Sequence, residues 1–181
     1  VSLKAKLDKQ DTQALISNRV RNYANGNNND VSGWAIYTVP NNTSVSFNYP
    51  GSSWSAKHNN SGYHVSADEW HHLCWVYNGY NSKFFIDGKL VDTQSTNSGA
   101  IPSYADILVG ANYQMSDYQK FSIDNLYSFV NGEIDDVRIY RNAISDAEVL
   151  ADSGQDTPLA DKELIAAYDF AGIEGKNVPD I

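Results

Sequence analysis

The sequence predicts an all-β fold, a jelly-roll sandwich of two antiparallel sheets with one short helix near residues 145–152. Three observations carry this reading. Short apolar or alternating runs recur at roughly 8–12-residue spacing with turn residues between them, the pattern of a sandwich. Strand-forming aromatics are abundant (12 Tyr, 4 Trp, 6 Phe), while the 12 Gly and 5 Pro are scattered as turn punctuation. One stretch carries both a helix start and a helix stop.

The elements follow in order. Residues 2–7, SLKAKL, alternate Leu3, Ala5 and Leu7 with Ser2, Lys4 and Lys6, a strand with one face in solvent. NYANGNNND (22–30) is an Asn-rich loop, since Asn and Gly tolerate left-handed backbone. GWAIYTV (33–39) and TSVSFNY (43–49), separated by PNN, form a hairpin, and a polar loop spans 50–63. WHHLCWVYN (70–78) and KFFIDGKLV (83–91) are strands, the second folded back on itself at Asp87-Gly88. ADILVGANY (105–113) and GEIDDVRIY (132–140) supply two more. In NAISDAEVLADSG, Ser145 as N-cap with Glu148 three residues on forms a capping box, Ile144 and Val149 a hydrophobic staple, and Gly154 the stop. Residues 1–153 form the domain and 154–162 a linker. The segment 163–181, with the strand ELIAAYDF, completes the sandwich or starts a second repeat.

Charge and composition exclude several classes. With 181 residues, 41% of them hydrophobic, the chain can bury one core. Thirteen basic against 22 acidic residues give a net charge of −9, which repels nucleic-acid phosphates and anionic lipid. No apolar run approaches the roughly 20 residues of a membrane span. The chain opens on Val1 rather than Met and reads as a processed or excised piece. Its one cysteine, Cys74, sits in an apolar run as a core thiol.

The ordered blocks WHHLCWVYNG, KFFIDGKLV, ILVGANY and VNGEIDDVRIYRNAISDAEV resemble the laminin G-like group of concanavalin A-like lectin/glucanase domains. The resemblance implies a jelly roll of two curved sheets, a carbohydrate-binding role in large secreted bacterial glycosidases or adhesins, and a structural calcium ion. Such domains open with a strand like IAAYDF; here that strand stands near the C-terminus instead.

Glu133, Asp135 and Asp136 are the sharpest candidates for chemistry. On a strand Glu133 and Asp135 share a face, and two carboxylates on one face are what a glycosidase requires. The related glucanases place a third carboxylate two or three residues on, where this chain has Val137 and Arg138, so the motif is incomplete and no enzyme is expected. The resemblance implies instead that Asp135 and Asp136, with Asp169 or Asp180 from the C-terminal segment, hold calcium. The competing reading pairs Asp136 with Arg138 or Arg141. His71 and His72 face opposite sides of a strand and cannot share a metal as neighbours, and His58 and His64 have no partner at zinc-like spacing.

Aromatic rings in polar loops point to sugar, whose apolar faces stack on them while Asn and Asp side chains bond the hydroxyls. Tyr23, Tyr80 and Tyr104 stand at such positions. The residues singled out are Trp54 as stacking platform, Tyr113 and Tyr118 as second choices for that role, and Asn112 and Asp117 as hydroxyl partners. The expected function is a non-catalytic carbohydrate-binding module of an extracellular or cell-surface multidomain protein, with a glycan and neighbouring modules as partners. The alternative is a laminin G-like protein-interaction or spacer domain.

Overall fold

The computed structural model describes residues 1–22, 30–47, 57–58, 63–95, 101, 106–113, 123–160 and 162–170. Its strands are β1 Ser2–Leu7, β2 Gln13–Ser17, β3 Val20–Asn22, β4 Asp30–Ser32, β5 Trp34–Val39, β6 Asn42–Phe47, β7 Lys57–His58, β8 Trp70–Tyr77, β9 Asn81–Ile86, β10 Lys89–Ser95, β11 Leu108–Val109, β12 Asn112–Tyr113, β13 Leu126–Tyr127, β14 Gly132–Tyr140 and β15 Leu164–Tyr168. The helix α1 covers Asp146–Ser153. One sheet runs β10-β9-β8-β1-β14-β15 and the other β11-β2-β5-β6-β7, with β12-β13 and β3-β4 as small ribbons. All pairings along the two sheets are antiparallel. Among the described residues no helix is long and apolar enough to cross a membrane.

Period-two alternation builds the core. Leu3, Ala5 and Leu7 of β1, Leu73 and Trp75 of β8, and Val137 and Ile139 of β14 face Leu15, Ile16, Ile36 and Val45 from the other sheet. The intervening residues of β8, Cys74 and Val76, point the other way and join Phe85, Tyr140, Ile144 and Val149 under α1. Burial pushes the Cys74 thiol up to about 12, so it stays a protonated packing group.

The Asp87-Gly88 turn joins β9 to β10 with both residues at positive φ, 50° and 70°, as a two-residue hairpin of matching twist requires. Side-chain bulk is also excluded there, because a Cβ on Gly88 would stand 2.7 Å from Ser153 Oγ and 2.9 Å from Leu150 of α1. The run 105–113 does not form one strand. Gly110 at φ 79° breaks it into β11 and β12, which belong to different sheets.

β14 holds a bulge. Ser2 opposes Arg138 but Lys4 opposes Asp135, so β14 carries one extra residue, and Asp136 adopts φ 48°. The inserted residue shifts the alternation by one. Ile134 and Val137 both face the core, and Asp136 is kept out of it. β15 pairs along β14 as the edge strand of the same sheet and adds Ala166 and Tyr168 to the core margin.

α1 starts as a reciprocal capping box. Ser145 Oγ accepts from Glu148 N at 3.3 Å, and the Glu148 carboxylate accepts from Ser145 N at 2.7 Å. Gly154 ends the helix at φ −103°, so it does not supply a left-handed cap. Near its end, buried Asp152 accepts from Ser2 Oγ (2.6 Å), Arg138 Nη1 (3.0 Å) and Tyr140 OH (2.7 Å) and meets His72 Nε2 at 3.2 Å. Ser2 is therefore buried beneath the helix, unlike Lys4 and Lys6 on the same strand face.

The hydrogen bonds from Lys162, then from Ser145, draw the Glu148 carboxyl down to about 2 from 4.5. A depressed folded-state value means the interaction is complete above about 4.5 and fades as pH falls toward 2. Ser145→Ala is expected to cost about 1 kcal/mol at pH 7. The difference from the parent chain should shrink on acidification through this window. Urea midpoints at pH 7 and pH 3 check both statements, and equal midpoints at pH 7 would remove the capping box from the account.

Candidate functional site: an aromatic cleft at one end of the sandwich

At the C-terminal ends of β8 and β14 the sandwich opens into a cleft of about 570 Å³. Its floor is Trp34 and Trp75, and its walls include Tyr77, Asn78, Tyr80, Ile101, Ile107, Arg141 and Asn142. That size and mixture suit a small ligand bound through apolar faces and a few polar groups. The aromatic floor is rigid. Trp34 and Trp75 lie 5.4 Å apart and tilted, Tyr77 stacks on Trp75 at 5.7 Å and 22°, and Trp75 Nε1 donates to Ser82 Oγ at 2.8 Å.

Tyr80 is presented differently. The Asn78 side-chain oxygen accepts from Tyr80 N (3.0 Å) and Asn81 N (2.7 Å), and Gly79 takes φ 89°, so the turn from β8 to β9 is locked by its own residues. Tyr80 projects from this turn with 70% of its surface exposed. A turn that presents an exposed aromatic ring to an aromatic-lined cleft can stack one face of a sugar, with Asn142 and Arg141 in the lining for hydroxyls. Arg141 Nε is held 3.0 Å from Glu163.

Of the residues singled out from sequence, the described ones, Asn112 and Tyr113, do not line this cleft. Trp54, Asp117 and Tyr118, like Asp180, lie outside the described residues. Tyr113 is 2% exposed and packs with Leu108 and Leu126 on the β12-β13 ribbon, which corrects its assignment to a ligand surface. Asn112 is likewise buried, its side-chain oxygen accepting from Ser17 Oγ at 3.0 Å and Tyr113 N at 2.9 Å, so it has no hydroxyl to meet. Both stand on the short strand β12, at the end of the run 105–113 that was read as one strand. Tyr80, named from sequence among the loop aromatics but not chosen as the platform, stands in the NGYN turn between two apolar strands.

The carboxylates of β14 lie toward its other end, away from the aromatic cleft. Glu133 pairs with its cross-strand neighbour Lys6 at 3.0 Å in solvent. Asp136 is the counter-ion of Lys4 (2.6 Å) and Arg138 (3.3 Å). Asp135 accepts from Asp136 N at 2.8 Å; burial, then the charges of Asp136 and Asp169, push its carboxyl up from the usual range. Asp135, Asp136 and Asp169 do line one cleft with Lys4. Calcium, however, takes six to eight oxygens, and one of these carboxylates is already committed to two cations. Among the described residues no group of three His, Cys, Asp or Glu could hold a metal ion. This arrangement does not fit the ion.

His71 bridges Ser66 Oγ (2.7 Å) and Asp87 Oδ2 (2.9 Å). The Ser66 main-chain N–H also meets the same His71 nitrogen at 3.2 Å, while Asp87 Oδ1 accepts from His72 N at 2.9 Å. The set clamps the start of β8 to the β9-β10 turn.

The profile of the concanavalin A-like lectin/glucanases superfamily, laminin G type, matches residues 2–150. No curated protein sequence matches the chain. Among solved structures, a candidate carbohydrate-binding protein of Bacteroides ovatus matches at 12% identity and TM-score 0.68, covering 99% of this chain, which spans 48% of that one. The CBM40 of the Ruminococcus gnavus IT-sialidase, bound to α2,3-sialyllactose, matches at 16% identity and TM-score 0.61 over 84% of this chain and 80% of that one. Domain 4 of a GH43 extracellular arabinanase from Geobacillus stearothermophilus, in complex with arabinotriose, matches at 14% identity and TM-score 0.55 over 84% and 64%. At these identities the likeness is one of fold.

Asp136→Asn is expected to lower the melting temperature by stranding Lys4 and Arg138, and EDTA to leave the parent chain's melting temperature unchanged. Thermal melts of both proteins with EDTA and with added calcium check this. Loss of stability on chelation, abolished in Asp136→Asn, would return the site to a metal.

Proposed function

The chain belongs to the concanavalin A-like lectin/glucanases superfamily, and on that footing we propose that it is a non-catalytic carbohydrate-binding module. The observation that carries the reading is the cleft that exposed Tyr80 lines together with Trp34, Trp75 and Tyr77. Binding sugar there asks for stacking and hydrogen bonds and no proton transfer. Hydrolysis would ask for two carboxyl groups about 5 Å or more apart with substrate between them. The aromatic cleft's described lining contains no Asp or Glu, and Glu133 is tied to Lys6 at 3.0 Å.

Three further elements belong to the proposal. Trp54 serves as a stacking platform, with Tyr118 as second choice and Asp117 as hydroxyl partner. The module works outside the cell or on its surface, joined to other modules of a larger bacterial protein. In support, a neighbour of the same fold is a domain of an extracellular arabinanase, and the chain spans about half of the Bacteroides ovatus protein it matches. The competing role is a protein-interaction or spacer domain, which the same experiment exposes.

On a glycan array the chain is expected to retain at least one oligosaccharide class. Tyr80→Ala should weaken that binding several-fold, the ~0.5–1.5 kcal/mol of an aromatic stacking contact, with an unchanged melting temperature because the ring is exposed. No reducing sugar should be released by the parent chain. An array without a single specific signal would favour the spacer role, and sugar release abolished by Glu133→Gln would make the chain an enzyme.

A further inference from the structure

We infer that the aromatic cleft selects an acetamido sugar, the acetyl group being the part it distinguishes. The inference rests on the carbohydrate-binding reading of this cleft and goes beyond it by naming the substituent. Two properties of the described lining carry it: its polar groups are biased toward donors, and its walls are aliphatic.

The donor bias follows from what each polar side chain already does. Asn78 uses its side-chain oxygen on Tyr80 N (3.0 Å) and Asn81 N (2.7 Å), which fills both lone pairs and leaves its NH2 group to offer. Arg141 can only donate. Glu163 holds its Nε at 3.0 Å, so its charge is already answered and the lining does not call for an anion. The Tyr140 hydroxyl is committed, donating to Asp152 at 2.7 Å and accepting from Leu159 N at 3.2 Å. The described lining holds no Asp or Glu to receive an ammonium group. Asn142 carries an amide that can both donate and accept. A sugar hydroxyl that accepts from these donors brings a hydrogen needing an acceptor of its own. A carbonyl oxygen brings none.

The apolar part of the lining selects the other half of the substituent. Ile101 and Ile107 stand in it, Ile107 with 41% of its surface exposed. A methyl group set against them gains by leaving water, whereas a hydroxyl set there loses its hydrogen bonds. The acetamido group carries a methyl and a carbonyl oxygen on one carbon, and its N–H matches the Asn142 oxygen. Tyr80 is left to stack the pyranose ring.

Paired titrations of the full chain test the inference, with the methyl glycosides of N-acetylglucosamine, N-acetylgalactosamine and N-acetylmannosamine set against those of glucose, galactose and mannose. One buried methyl group is worth roughly fourfold in affinity and one added hydrogen bond roughly fivefold. At least one acetamido sugar is therefore expected to bind about tenfold or more tightly than its hydroxyl counterpart, its acetyl methyl protons receiving the strongest saturation transfer from the protein. Asn78→Asp keeps the oxygen that the turn uses and removes the NH2 group, and Ile107→Ala trims the exposed wall. Each should narrow that ratio several-fold at unchanged melting temperature. A ratio below tenfold in all three pairs, or a ratio that both variants leave intact, would overturn the inference. The two failures are separable: glycans retained on the array without an acetamido preference leave the carbohydrate-binding reading standing, whereas an absence of any sugar binding removes both.

Discussion

One buried carboxylate holds the outer layer of this protein to its sheet. Asp152 lies near the C-terminal end of α1, and its partners are Ser2 of β1, His72 of β8, and Arg138 and Tyr140 of β14, adjacent strands of the six-stranded sheet. Burial alone would raise its pKa. The hydrogen bonds from His72, Ser2, Tyr140 and Arg138 outweigh that and hold it well below the usual carboxylate range. Their stabilisation is therefore present above the ordinary carboxylate pKa and lost only in strong acid. A buried charge whose partner is removed costs about 3–5 kcal/mol, so the helix has one seat on the sheet. That seat places Leu150 and Ser153 against the Asp87-Gly88 turn and seals the apolar cluster around Phe85 and Val149.

Local signals were legible in the sequence. The Ser145–Glu148 capping box, the Asp-Gly hairpin and the alternation of β1 each follow from a few consecutive residues, and each is built as those residues dictate. The ordered blocks also pointed to the family that the chain belongs to. The Asp152 hub was not legible, because its partners are separated from it by 12 to 150 positions and its own residue reads as one more helix-surface acid. Ser2 was placed in solvent by alternation for the same reason: pattern shows which face a side chain takes, not what later covers that face. β2, buried at every position, carries no alternation by which to find it. The β14 bulge had no signal beyond two consecutive Asp residues, yet it lets Asp136 leave the core without moving Val137 out of it.

The candidate site was harder for a physical reason. Loop aromatics look alike in sequence, and their fate depends on packing. Tyr113 is drawn into the core by a two-residue strand, whereas Tyr80 is pushed out by an Asn-locked turn. The carboxylates invited a catalytic or metal reading, but cross-strand lysines claim two of them, Glu133 through Lys6 and Asp136 through Lys4. What results is a sheet with an apolar, aromatic cleft near one end of β8 and an acidic, Trp-flanked cleft near the other. The described lining of the aromatic cleft offers apolar ring faces and a few polar side chains.

The most direct test of the central claim is an NMR titration of the isotope-labelled chain with an oligosaccharide retained on a glycan array. Binding at the aromatic cleft predicts saturable shift changes centred on Tyr77, Asn78, Tyr80 and Asn142, with the indole signals of Trp34 and Trp75 moving in step. Changes confined to residues far from that cleft, or no changes with any retained glycan, would contradict it.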